Sequence, residues 1–169
     1  MYYLKLLKNT YIFVYNQRHG GDCEMIVENP NRTESLISEL TKVWESSVKA
    51  THTFLTEKDI IELRSFVETG IKEIENLIVV YENYNPIGFM GIAQRKVEML
   101  FLDPACIGKG IGKSLITKAI HEYEVLYVDV NEQNPHAVDF YKRFGFEVFQ
   151  RTEFDEQCRP FPILKMKLR

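Results

Sequence analysis

Residues 100–114, LFLDPACIGKGIGKS, constrain the fold more strongly than any other stretch of the chain. An apolar run ends at Asp103, a glycine-rich loop follows, and apolar residues recur at helical spacing from Leu115 onwards. This order predicts a strand, a loop and a helix. Glycines let a ligand approach the backbone closely, and the first turn of a helix offers unpaired N–H groups and a positive dipole end. The stretch therefore predicts a phosphate or pyrophosphate site.

Two nucleotide-binding patterns compete for this loop. Residues 112–114, Gly-Lys-Ser, match the end of a P-loop, and Asp129 after a later apolar run resembles the metal-binding strand end of such proteins. Ile107, however, occupies the position of the first P-loop glycine. The other pattern is Q/R-x-x-G-x-G/A, the loop that holds the pyrophosphate of coenzyme A in the GNAT acetyltransferases. Gly110 and Gly112 fit that pattern, and Ile107 departs from it because Gln or Arg is usual there.

A second motif favours the coenzyme A pattern. Residues 134–146, NPHAVDFYKRFGF, resemble the GNAT run N-x-x-A-x-x-F-Y-x-x-x-G-F, which a P-loop protein has no reason to carry. The resemblance implies an acetyl-CoA-dependent N-acetyltransferase in which a primary amine attacks acetyl-CoA directly. A non-catalytic acetyl-CoA sensor is the alternative. Further similarity to a small bacterial YjaB-like subgroup of the family lies in residues 44–55, 101–104, 130–134 and 159–162.

Composition limits the other classes of function. The 169 residues, 45% of them hydrophobic and 27% charged, fit one globular domain. A net charge of −3 without a long basic block argues against nucleic acid as a partner, and no apolar run is long enough to span a membrane. Cys23, Cys106 and Cys158 are odd in number and far apart, which favours a reducing compartment. We therefore expect a cytoplasmic monomer or homodimer without a metal.

The sequence pattern predicts an α+β (mixed α/β) protein. The resemblance implies a single GNAT domain whose central, mostly antiparallel twisted sheet is splayed at its middle and carries helices on both faces. We expect residues 25–169 to form this domain and residues 1–24 to be an N-terminal appendage, or else a short strand or helix packed on the outside. The predicted helices are 33–48, 57–70, 110–123 and 135–144, and the predicted strands are 25–27, 76–81, 87–93, 97–102, 125–130, 146–152 and 161–168.

The resemblance also implies where the cofactor lies. In this family its pantetheine arm occupies the space between the strands that hold Leu102 and Val128, Asn134 bonds the cofactor, and Tyr141 is the usual general acid for the sulfur. A tyrosine pKa of about 10 lies above the roughly 8.5 of a thiol, so a hydrogen bond to sulfur is the alternative to proton transfer. The cofactor-binding candidates are Leu100, Phe101, Leu102, Gly108, Lys109, Gly110, Ile111, Gly112, Lys113, Asn134 and Tyr141.

Three residues are candidates for the general base. Glu98 shares a strand face with Lys96, by the period of two, and GNAT proteins often place a carboxylate on this strand. Asp129 lies on the neighbouring strand. His52 lies between the first two helices, which build the acceptor pocket in this family. Solvated carboxylates and a histidine that bonds loop backbone groups are the structural alternatives. The acceptor stays open among a small amine, an amino acid derivative, an antibiotic and a protein amine.

Overall fold

The computed structural model describes residues 14–17 and 23–169, and the side chains from residue 25 onwards. Eight strands form one sheet in the order β1-β2-β3-β4-β5-β6-β8-β7. Neighbouring strands run antiparallel except for β5 and β6, which are parallel. The strands are β1 Val14–Gln17, β2 Cys23–Glu28, β3 Asn76–Glu82, β4 Asn85–Ala93, β5 Lys96–Leu102, β6 Tyr127–Asn131, β7 Phe146–Thr152 and β8 Ile163–Leu168.

Four α-helices and one 3-10 turn join these strands. Polar caps start the first two helices: the Thr33 hydroxyl accepts from the Leu36 N–H at 3.2 Å, and Thr56 and Asp59 form a reciprocal capping box. These caps fix where the chain enters each helix. The helices are α1 Glu34–Thr51, α2 Glu57–Glu73, α3 Ile111–Glu122 and α4 Pro135–Arg143, and the 3-10 turn is Pro104–Cys106.

The helices cover both faces of the sheet, as predicted. Alternate residues of β3 point to opposite sides, so that Leu77 and Val79 pack against α1 and α2 while Ile78 and Val80 belong to the other hydrophobic core. That second core includes the apolar faces of α3 and α4. The sheet is therefore the middle layer of three, with one hydrophobic core on each side.

The sheet is splayed between β5 and β6, which also confirms the prediction. The two strands pair only at Lys96–Tyr127 and Val97–Val128. Beyond these pairs β5 continues to Leu102 and β6 to Asn131 without a shared ladder. Backbone groups and side chains along the second halves of both strands therefore border an open space and not a neighbouring strand.

Some element boundaries differ from the predicted ones, for local reasons. Helix α1 continues to Thr51 and not only to residue 48. Strand β6 begins at Tyr127 and not at 125, because the Val125 N–H donates to the Ala119 carbonyl and so closes the end of α3. Strand β8 begins at Ile163, after Pro162, which has no N–H to give to a ladder.

The N-terminal segment contributes to the sheet where it is described. Strand β1 pairs antiparallel with β2, with Val14 opposite Ile26, and β2 itself begins at Cys23. Residues 14–17 thus form a short outer strand, one of the alternatives for residues 1–24. Residues 1–13 and 18–22 lie outside the described part of the chain, and a domain boundary near Met25 stays a prediction. Within the described residues, no helix is long and apolar enough to cross a membrane.

Candidate active site

Three adjoining cavities lie where β5 and β6 diverge. A long groove of about 440 Å³ runs past the N-terminal ends of α3 and α4. A wedge of about 110 Å³ lies between the separated halves of β5 and β6. A side pocket of about 300 Å³ lies between the α1–α2 connector and the β7–β8 loop. His52 and Phe101 line all three cavities, so their rings stand at the junction.

The N-terminus of α3 faces the long groove. Gly110 is its N-cap residue, with φ of +90° and no side chain that caps the helix. The first intrahelical bond runs from the Ser114 N–H to the Gly110 carbonyl at 3.0 Å. The N–H groups of the residues between them have no acceptor within the helix, and they carry the positive end of its dipole. This end of the groove is therefore an anion site made of backbone donors.

Most of the predicted cofactor residues line the long groove, and two do not. Ile111 is only 3% exposed and packs in the core beneath α3, so that only its backbone faces the turn. The N–H of Lys109 bonds to the Cys106 carbonyl at 3.4 Å, and its side chain does not line the groove. The predicted residues that do line it are Leu100, Phe101, Leu102, Gly108, Gly110, Gly112, Lys113, Asn134 and Tyr141.

The absence of side chains at two glycines keeps the groove open. A Cβ placed on Gly108 would meet no atom within 4 Å, so it would project into empty space. A Cβ on Gly112 would lie 3.5 Å from the Phe140 ring and 3.6 Å from the Leu102 side chain, in ordinary contact with both. The protein itself thus leaves room at Gly112, and the added carbon would occupy groove volume. This geometry fits a phosphate-bearing ligand that approaches the backbone.

Residues of α1 and α4 that were not among the predicted site residues complete the groove. Ser47 and Thr51 line it from α1, opposite the glycine loop. Phe140 lines it from α4, beside Tyr141. The Phe-Tyr pair of the second motif could have indicated Phe140. The similarity of residues 44–55 to the subgroup covered Ser47 and Thr51 but could not place them at the groove, because they precede the loop by about a third of the chain.

Tyr141 lies at the boundary between the wedge and the long groove. It is 6% exposed, and the rings of Phe140 and Phe146 pack around it with centroids 5.1 and 5.7 Å away. Burial raises the pKa of the Tyr141 hydroxyl well above its ordinary value of 10.0. The hydroxyl therefore keeps its proton at neutral pH and can only act there as a neutral hydrogen-bond donor or acceptor.

Asn134 lies nearby and lines the same two cavities. Its side-chain oxygen accepts from the Ala137 N–H at 3.2 Å and so caps α4, and its own N–H donates to the Asn131 carbonyl at 3.0 Å. The cap occupies only the Oδ1 atom of the side chain. The amide nitrogen Nδ2, which is a donor, is the atom that could serve a ligand.

Lys96 joins the two candidate carboxylates in the side pocket. Its Nζ lies 2.9 Å from Asp129 Oδ2 and 3.0 Å from Glu98 Oε2. Burial works to lower the pKa of Lys96, but the hydrogen bonds to Asp129 and Glu98 outweigh burial and the pKa is raised. The lysine therefore stays protonated, and it holds one oxygen of each candidate carboxylate in an ion pair.

His52 is held differently. Its Nδ1 lies 2.8 Å from the Thr51 hydroxyl, which donates its proton to the Ser47 carbonyl at 2.7 Å. Since the hydroxyl has one proton, Nδ1 must donate in this chain of bonds and Nε2 is left as an acceptor. Burial lowers the pKa of His52 from 6.5 to about 4. The ring is therefore neutral at neutral pH, with one free lone pair at the junction of the cavities.

Aromatic rings in tilted contact connect the two loops beside the side pocket. The ring centroids of His52 and Phe54 are 5.4 Å apart, and those of Phe54 and Phe161 are 5.6 Å apart. The Arg159 guanidinium lies 5.3 Å from the Phe161 ring and forms an ion pair with Asp155 at 2.7 Å. The β7–β8 loop is thereby fixed against the connector that carries His52. The similarity of residues 159–162 to the subgroup pointed to this loop, but not to its role.

A mixed sheet splayed beside a glycine-capped helix N-terminus is the arrangement of the GNAT acetyltransferases, and the sequence profile of the acetyltransferase (GNAT) domain matches residues 45–168. The chain belongs to this family and is an N-acetyltransferase. It is 38% identical over 128 residues to the peptidyl-lysine N-acetyltransferase YjaB of Escherichia coli strain K12, a match that covers 76% of this chain and 87% of that protein.

Two further similarities agree with this assignment. The peptidyl-lysine N-acetyltransferase YjaB of Salmonella typhimurium is 39% identical over 127 residues, which cover 75% of this chain and 88% of that protein. The solution structure of apo-form YjaB from Escherichia coli superposes with a TM-score of 0.74 at 35% identity, over 84% of this chain and 96% of that one. The predicted family, its YjaB-like subgroup and the predicted enzyme class are confirmed.

Proposed function

We propose that this enzyme transfers the acetyl group of acetyl-CoA to the ε-amine of a lysine in a peptide or protein. The observation that carries the proposal is the continuity of the long groove with the side pocket through the wedge, with Tyr141 at the boundary. A donor and an acceptor can enter from opposite ends and meet there. The lysine acceptor is suggested by the name of the relatives, peptidyl-lysine N-acetyltransferase.

The groove suits coenzyme A. The backbone donors at the start of α3, with the Lys113 side chain beside them, would bind the pyrophosphate, and the open space at Gly108 and Gly112 would admit it. The unpaired edge of β5 from Leu100 to Leu102 offers backbone groups to the amides of the pantetheine arm. When bound, acetyl-CoA supplies the thioester whose acyl carbon the amine attacks.

The residues at the junction would handle the protons. Glu98 and Asp129 favour the entry of a cationic lysine side chain, and the amine then loses a proton to solvent before it attacks. His52 is too weak a base to deprotonate a free lysine ammonium. Once the lysine nitrogen has bonded to the acyl carbon, it carries a second surplus proton that is far more acidic than that of the free ammonium. His52 can accept this proton at Nε2. The Tyr141 hydroxyl would donate a hydrogen bond to the sulfur as the carbon–sulfur bond breaks.

The test is a transfer reaction with an N-terminally blocked peptide that contains one lysine. Mass spectrometry should find one acetyl group on that lysine, and thiol release should match the acetylated peptide in amount. A second peptide with a free N-terminus and no lysine distinguishes ε-amines from α-amines. Acetylation of the lysine-free peptide alone would contradict the lysine proposal. Tight binding of acetyl-CoA without transfer to either peptide or to small amines would favour the sensor alternative.

A further inference from the structure

One face of the sheet beside the side pocket carries no helix among the described elements. Helices α1 and α2 pack on β3, β4 and β5, and α3 and α4 pack on the opposite side of the sheet. On β8, Met166 is fully buried towards α3 and α4, so Lys165 and Lys167 point the other way. We call the surface formed there by Tyr127, Phe149, Lys165 and Lys167 the bare face.

The bare face is continuous with the side pocket. In the strand register Lys165 lies opposite Asp129, and Lys167 lies opposite Tyr127, which is itself opposite Lys96. Asp129 and Lys96 line the side pocket. Neighbouring strands are about 4.8 Å apart, so both lysines lie within one or two strand spacings of the pocket wall. Residues that flank an acceptor lysine, at about 3.4 Å per residue in extended chain, would pass over them.

The acidic residues opposite the two lysines are paired with other side chains. Glu147, opposite Lys167, pairs with Arg169, and Asp129, opposite Lys165, pairs with Lys96. Among the residues whose side chains are described, 25–169, neither Lys165 nor Lys167 forms a salt bridge. The Lys167 ammonium lies 5.7 Å from the Tyr127 ring, and the exposed Phe149 ring lies 6.1 Å from Tyr127. Inside the pocket, by contrast, Lys96 is shared by Glu98 and Asp129. The sheet side of the pocket mouth therefore presents two lysines without an ion-pair partner among the described side chains, next to the rings of Tyr127 and Phe149.

We propose that the bare face binds acidic residues that flank the acceptor lysine, and that Lys165 and Lys167 make this enzyme select lysines in acidic sequence. The inference rests on the proposed transfer to peptide lysine and adds the sequence context of that lysine. Across the pocket, Glu156 on the β7–β8 loop gives the opposite wall a negative charge. The preference for acidic flanking residues is thus assigned only to the side of the pocket mouth that the bare face forms.

The test uses three N-terminally blocked peptides with one lysine each, flanked by aspartates, serines or arginines. The parent enzyme should show the highest kcat/KM for the aspartate peptide, by about twofold to thirtyfold over the serine peptide, the range that two exposed ion pairs supply. The advantage should shrink as ionic strength rises, because exposed charges are screened. In Lys165→Glu/Lys167→Glu the order should reverse in favour of the arginine peptide, and in Lys165→Gln/Lys167→Gln the three peptides should become nearly equal.

The control is Lys42→Glu/Lys72→Glu, which makes the same change in net charge on α1 and α2. Lys72 is in the last turn of α2, far from the connector at residues 52–55, and this variant should keep the parental order. Acetyl-CoA affinity, measured in every variant, shows that the fold is intact. Equal kcat/KM for the three peptides in the parent, or an aspartate preference that survives in the Glu and Gln variants, overturns the inference. Absence of acetylation on every peptide overturns the transfer to peptide lysine itself.

Discussion

Tyr141 is the residue whose environment most directly defines its chemistry. Its hydroxyl lies where wedge and long groove meet, and burial raises its pKa far above that of a thiol. Full proton transfer from Tyr141 to the departing thiolate is therefore unfavourable, unless the same apolar surroundings raise the pKa of the thiol by as much as they raise the pKa of Tyr141. A hydrogen bond to the sulfur needs no such match, and it is the role that we assign to Tyr141.

The substitution Tyr141→Phe tests this role. The Phe side chain keeps the ring contacts with Phe140 and Phe146, so the fold and the affinity for acetyl-CoA should change little. Loss of one hydrogen bond to a charged atom should lower kcat about tenfold to 150-fold. Steady-state kinetics together with a binding titration would show both effects. Parental kcat in the variant would remove Tyr141 from the mechanism, and a fall beyond about 10³-fold would indicate proton transfer instead.

His52 gives a prediction about stability and pH. Its folded pKa of about 4 lies below the ordinary 6.5, so the unfolded chain binds the proton more readily. The free energy of unfolding therefore has its full value above pH 6.5, where the ring is neutral in both states. It falls as the pH is lowered from 6.5 towards 4, because only the unfolded chain gains the proton. Between pH 7 and pH 4.5 the parent should lose about 2.5 kcal/mol of unfolding free energy through this group.

Denaturant unfolding at the two pH values measures the effect, and His52→Gln is the comparison. Glutamine has no proton to gain, so the variant should lose less stability on acidification than the parent, by the amount given above. Other carboxyl groups titrate in both proteins and cancel in the difference. An equal loss in parent and variant would mean that His52 is not a buried neutral ring.

Among the single elements, the N-terminus of α3 is the one to which we assign the pyrophosphate of coenzyme A. Its donors are backbone N–H groups, which only a substitution to proline removes, and the space before them is kept by glycines. Gly110 is unsuited to a steric test, because its φ of +90° would strain any other residue. Gly112 is in the helix, where alanine is tolerated, and its Cβ would meet only ordinary contacts.

We therefore expect Gly112→Ala to fold with parental stability or slightly above it, since alanine favours helix over glycine. The added methyl group would enter the groove beside the Phe140 ring and should weaken coenzyme A binding at least tenfold. Calorimetric titration measures the affinity. The variant Gly70→Ala, on α2 and with room for a Cβ 3.7 Å from Met99, is a matched control that should bind as the parent does. Unchanged binding by the Gly112 variant would show that the pyrophosphate lies elsewhere.

For the molecule as a whole, the sequence predicted what depends on local pattern. Hydrophobic periodicity and caps located the helices and strands to within a few residues, and the two motifs indicated the family and hence the splay. Lys96 was noted only as a neighbour of Glu98, because its contact with Asp129 depends on the register of β5 against β6. The hydrogen bond from His52 Nδ1 to the Thr51 hydroxyl was missed because α1 was expected to end earlier.

The ring contacts of His52, Phe54 and Phe161 and the cation–π contact of Arg159 could not be predicted either. These residues lie on two loops at distant points of the sequence, and their contacts exist only once the sheet brings β8 beside β6. The residues that line the adjoining cavities thus come from α1, β5, β6, α4 and the β7–β8 loop. A ligand that fills the wedge touches both halves of the sheet and should stabilise the whole domain.

Thermal unfolding with and without ligand is a direct test for coenzyme A in the long groove, because it needs no knowledge of the acceptor. At about one hundred times its dissociation constant, acetyl-CoA or CoA should add about 2.7 kcal/mol of stability, which corresponds to a rise in Tm of about 5 to 10 °C. Mg-ATP, the ligand of a P-loop, should leave Tm unchanged at the same concentration. No shift with acetyl-CoA, or a shift with Mg-ATP alone, would contradict the assignment of the long groove to coenzyme A.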